Sequence, residues 1–68
     1  MQPLFELWVK DKAIASAPIK MSFLAIKVGK ENNWSEERIK QISARILASQ
    51  YSVTPDTSHG GRYYVLVQ

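Results

Sequence analysis

A chain of 68 residues with a 46% apolar share has material for one small domain around one compact core, and none to spare for a deep catalytic cavity. It has no cysteine and one histidine, which excludes disulfide staples, thiolate metal sites and a structural zinc centre. The net charge is +3, and all of that excess falls in residues 18–50, where Lys20, Lys27, Lys30, Arg38, Lys40 and Arg45 outnumber Glu31, Glu36 and Glu37. No apolar run approaches the ~20 residues of a membrane span, and Lys20 and Lys27 interrupt the best candidate. The N-terminus carries no signal-peptide pattern, so an intracellular protein is the expectation, with no membrane partner.

The first segment, Pro3 to Ala17, reads two ways. Phe5, Leu7 and Val9 alternate with Glu6 and Trp8 as in a strand, while Leu4, Leu7, Trp8 and Ile14 fit one helical face and Pro3 suits a first helical position. A helix is the expected outcome, because a pair of helices needs a third to close a core; Trp8 would then point inward. Pro18 ends that helix by pushing its predecessor out of helical geometry, and Ile19 to Met21 forms a short bridging strand.

The second helix is predicted from about Phe23 to Glu31. Phe23, Leu24, Ile26 and Val28 make it largely buried, with Lys20, Lys27 and Glu31 outward. Ala25 is small enough to let the next helix approach closely. Gly29 is placed where this helix should stop and the backbone often needs positive φ. Lys30 to Asn33 is read as turn. Trp34 follows as a plug between two helices, and Ser35 caps the third helix, whose positive end suits Glu36 and Glu37.

That third helix is predicted from Glu36 to about Ser49. Ile39, Ile42, Ile46 and Leu47 face the core, and Arg38, Gln41, Arg45 and Ser49 face away, flanked by Ala44 and Ala48. The chain closes with strands at Tyr51–Thr54 and Arg62–Val67, joined by an irregular, mobile loop from Pro55 to Gly61. Tyr63 and Tyr64 lie on opposite faces of their strand, so one is buried and the other is free for a partner.

Helix, turn, serine-capped basic helix and hairpin together resemble the winged helix-turn-helix superfamily across nearly the whole chain, most clearly over residues 22–67. The resemblance implies an α+β domain spanning residues 1–68, with three helices and a C-terminal hairpin wing. It also implies that the third helix enters the major groove of double-stranded DNA and brings Arg38, Gln41 and Arg45, while the wing brings His59 and Arg62. Arginine can bind guanine with two hydrogen bonds and glutamine can do so for adenine; small alanines beside them let a helix sink into the groove. Lys27, Lys30 and the Asn32-Asn33 pair stand beside that groove, within reach of backbone phosphates. The sequence departs from the superfamily at Lys30 to Asn33, which lengthens the usual tight turn by about four residues.

Catalysis is not expected, and no cofactor or metal is implied. Ser58 and His59 are neighbours in a loop with only Asp56 nearby, whereas a nucleophile needs an adjacent base held by a third group. The paired carboxylates Glu36-Glu37 are explained by helix capping. The expectation is a small DNA-binding regulator of transcription, recombination or replication, cytoplasmic and nucleoid-associated, or nuclear in a eukaryote. Engagement of DNA as a homodimer or through cooperative neighbours is part of that reading. The alternative is a protein-interaction module acting as adaptor, subunit or inhibitor of a larger enzyme.

Overall fold

Strand alternation prevails over helical spacing at the start of the chain. In the computed structural model, which describes residues 2–68, Phe5–Val9 is a strand (β1), and Phe5 and Val9 are buried. The expected first helix is therefore replaced by β1 and a single helical turn, Lys12–Ala15 (α1), capped by Asp11, whose carboxylate accepts the Ala13 N–H at 2.9 Å. The apolar residues at 5, 7 and 9 find a buried partner strand at the far end of the chain, and no local pattern could announce that pairing.

Pro18 opens the next helix instead of closing the previous one. Ala17 is extended, as the residue before proline prefers, and Pro18 takes the first position of α2, Pro18–Glu31. The bridging strand expected at Ile19–Met21 is helix. The buried face of α2 is Met21, Ser22, Ala25 and Gly29, at helical spacing, and the Ser22 hydroxyl is satisfied by donating to the Ile19 carbonyl at 2.8 Å. Phe23, expected inside, is 68% exposed.

Gly29 is needed for a reason other than the one its position suggests. It stays helical, and the left-handed residue after α2 is Asn33, with φ 57°. A Cβ on Gly29 would sit 2.6 Å from Trp34 Cε3 and 2.9 Å from Ile39 Cγ1. The absent side chain is the seat for the Trp34 ring, which meets Phe5 edge-on with centroids 5.4 Å apart. Trp34 thus plugs the helix pair as anticipated, and it is half-buried. The connection from α2 to the next helix is the four residues Asn32 to Ser35, with Lys30 and Glu31 still helical.

Ser35 caps α3, Glu36–Leu47, accepting the Arg38 N–H at 3.1 Å. Ile42 and Ile46 are fully buried and Ile39 is half-buried, as the spacing required, but Leu47 is 52% exposed. Ser49 ends the helix in the left-handed conformation, with φ 58°. The strands Ser52–Asp56 (β2) and Arg62–Val67 (β3) follow, giving an antiparallel sheet in the order β1-β3-β2. Phe5, Val9, Val65 and Val67 line its inner face against α2 and α3. Tyr51 ties the end of the helical layer down, its hydroxyl donating to the Ala15 carbonyl at 3.0 Å; burial raises its pKa. The described residues form a small α+β domain of three α-helices and three antiparallel strands.

Candidate nucleic-acid interface

The outward face of α3 follows from its inward one. With Ile42 and Ile46 in the core, Glu37, Lys40, Gln41, Ala44 and Ala48 stand exposed on the opposite side. Arg38 and Arg45 lie on a flank of that face, turned toward the chain ends that border the sheet. The Arg38 guanidinium lies over the Trp34 ring, 4.2 Å from its centroid, and Nη2 donates to the Leu4 carbonyl at 3.0 Å. It clamps the entry to β1 onto α3 while remaining exposed. Arg45 is half-buried and borders a depression of about 340 Å³ with Gln2, Leu4 and Gln68. Of the three residues singled out on α3, Gln41 alone projects from the open face; the arginines on either side of it touch or border the fold.

Lys27 and Lys30 are exposed on the outer side of α2. Arg62 is exposed where β3 begins, in register with Asp56 of β2. Between them the hairpin tip has a defined build. Thr57–His59 is one 3-10 turn capped by Asp56, which accepts both the Ser58 N–H at 2.8 Å and the Ser58 hydroxyl. Gly60 and Gly61 then bring the chain back with φ of 70° and 73°, values only glycine adopts without strain. The bonds from Ser58 hold the Asp56 carboxyl below the usual aspartate range, and His59, with Nδ1 3.1 Å from Oδ2, adds to this.

Ser58, His59 and Asp56 form one small cluster. The Ser58 hydroxyl donates to the Asp56 carboxylate, His59 Nδ1 lies 3.1 Å from the other oxygen of that carboxylate, and Ser58 Oγ and His59 Nδ1 are 3.2 Å apart. Within it Asp56 caps the 3-10 turn.

His59 does not reach away from the domain. Its ring stacks on Trp8 at a centroid distance of 4.0 Å and an interplanar angle of 18°. Trp8, expected in the core, lies on the outer sheet face, which alternation along β1 assigns to Glu6 and Trp8. Tyr64, paired in register with Trp8, tilts against it at 4.9 Å and donates its hydroxyl to Glu6. That bond to a carboxylate raises the Tyr64 pKa. This aromatic cluster is a surface that helix-based reading of Pro3–Ala17 concealed. The signal was present in the alternation of Glu6 and Trp8 and in the opposite facing of Tyr63 and Tyr64.

Comparison with protein-family models, with curated proteins and with solved structures returned no match. Among the described residues, no group of three or more His, Cys, Asp or Glu side chains is placed to hold a metal ion, and no helix is long and apolar enough to cross a membrane.

Proposed function

We propose that this domain is a winged helix-turn-helix module that binds double-stranded DNA, with α3 lying in the major groove and the β2–β3 hairpin tip on the flanking backbone. The observation that carries the reading is the open face of α3. Lys40 and Gln41 stand beside the small side chains Ala44 and Ala48, on a helix joined to α2 by only four residues. A helix with alanines on its outer surface can approach base edges closely, and glutamine supplies a paired donor and acceptor for adenine. Lys27, Lys30 and Arg62 serve as phosphate contacts around it, positioning the helix without reading sequence. Arg38 and Arg45 belong to the rim of the same interface, where they bring positive charge while bracing the helix. His59 contributes by holding the hairpin tip against Trp8. A role in transcription, recombination or replication is consistent with such binding.

Fluorescence anisotropy with labelled random duplex across a salt series tests the reading. With about four phosphates neutralised, log affinity should fall against log salt with a slope near −3.6. Arg62→Ala should make the slope shallower by about one and weaken all duplexes alike, whereas Gln41→Ala should relax base preference and leave the slope unchanged. Absence of binding at low salt removes the proposal.

A second reading, a protein-interaction module, is favoured by a specific feature: Ile19 is 66% exposed and Phe23 68%, on a helix whose other face is already in the core.

A further inference from the structure

α2 carries a second apolar stripe that the described residues leave largely open. Ile19, Phe23 and Ile26 follow one another at intervals of four and three residues, a stripe about 60° wide on the helix surface. Ile19 and Phe23 are exposed and Ile26 is half-buried. Helical spacing sets them roughly opposite Met21 and Ala25, which fill the core, so this stripe does no work inside the fold. The charges alongside its apolar residues are positive. Lys20 and Lys27 line one flank, seven residues apart, and Lys30 closes the stripe at its C-terminal end. Glu31, the only acid of the helix, stands on the flank of the lysines one turn after Lys27, past the last apolar residue of the stripe.

We infer that the outer face of α2 docks an acidic amphipathic helix of a partner protein. The partner's apolar residues, at positions i, i+3 or i+4 and i+7, would pack on Ile19, Phe23 and Ile26, while its carboxylates meet Lys20, Lys27 and Lys30. Charge selects this occupant over a second copy of the chain, since pairing two such faces would bring their lysines together. Width selects it over a lipid surface. A helix lying in a membrane interface presents a broad apolar face, whereas this stripe is two turns long and is ended by a lysine within its own line. The inference shares Lys27 and Lys30 with the DNA reading, whose base-reading helix is α3, but its apolar contacts on Ile19, Phe23 and Ile26 belong to it alone.

The test uses a 20-residue helical peptide with leucine at i, i+3, i+4 and i+7 and glutamate at its other surface positions, with a scrambled peptide of the same composition as control. Isotope-edited NMR titration of the 68-residue protein should show the amide shifts concentrated between Ile19 and Lys30, and the scrambled peptide should bind at least tenfold more weakly. Phe23→Ser should weaken binding at least tenfold without changing the melting temperature by more than a few degrees, because the ring is exposed. Ile19→Ser serves as an independent second variant. Joint Lys20→Gln and Lys27→Gln should cost severalfold at low salt and little at high salt. Several outcomes overturn the inference: no peptide binding, equal binding of the scrambled peptide, or binding indifferent to Phe23→Ser and Ile19→Ser. So would Phe23-dependent self-association in sedimentation, or Phe23-dependent binding to phosphatidylserine vesicles in place of the peptide.

Discussion

Replacing Gly29 by alanine gives a test that separates two accounts of the same residue. In the middle of a helix, glycine to alanine ordinarily stabilises by about 1 kcal/mol, from backbone entropy alone. At Gly29 the new Cβ would lie 2.6 Å from Trp34 Cε3 and 2.9 Å from Ile39 Cγ1, both well inside contact distance. Neither neighbour yields freely. The Trp34 ring is held by Phe5 at its edge and by the Arg38 guanidinium over its face, and Ile39 is branched on a helix packed against α2. Overpacking of this kind costs about 1–3 kcal/mol, to which the helix gain must be credited. The net expectation is a loss of up to about 2 kcal/mol, or a melting temperature lowered by as much as ~16 °C in a domain of this size. Thermal unfolding followed by far-ultraviolet circular dichroism measures it. The decisive measurement is the same substitution in a Trp34→Ala background. There the nearer obstruction is gone and only Ile39 Cγ1 remains, so Gly29→Ala should cost clearly less than in the intact protein. If Gly29 were instead a left-handed helix end, alanine would destabilise equally in both backgrounds. A stabilised Gly29→Ala in the intact protein would refute the seat for Trp34 outright.

Other expectations follow from burial and from the carboxylates. Ile42→Ala should lose about 2–5 kcal/mol in chemical denaturation, while Leu47→Ala, at a site 52% exposed, should lose well under half of that; equal losses would mean that α3 is rotated from the phase described. The Asp56 carboxyl is lowered in the folded protein from the ordinary value of 3.8, so its contribution to stability is complete above that value and drains away as pH falls through the lower, folded value. Acid titration of Asp56→Asn should therefore show a flatter loss of stability below about pH 4 than the unaltered protein, and Ser58→Ala, which removes the leading cause of the shift, should move in the same direction. Tyr64 should ionise at higher pH than an ordinary tyrosine in an ultraviolet titration, and Glu6→Gln should bring it down, because the bond to a carboxylate is what holds the proton.

Local chemistry alone wrote α3 and β3. Ser35 supplies a cap that needs no distant partner, and the isoleucines at 39, 42 and 46 mark a core face whatever surface they meet. Arg62–Val67 was equally plain, since β-branched and aromatic residues bounded by Gly60-Gly61 admit little else. Around Pro18 local chemistry narrowed the choice but left its direction open. A proline must break a helix before it, yet it is also a good first residue, and which role prevails depends on whether the residues ahead of it are taken by a strand. They are, because β3 offers Phe5, Leu7 and Val9 a pairing across some sixty residues of chain, and a strand's energy resides in that partner. The candidate interface divides in the same way. Helical phase put Gln41 outside, but only the folded arrangement turned Arg38 onto Trp34 and Leu4 and laid His59 on Trp8. Gly29 shows the division in one residue: its place near the end of α2 suggested a left-handed stop, whereas its smallness is needed to seat the ring of Trp34 five positions on, which belongs to the way α2 and α3 pack.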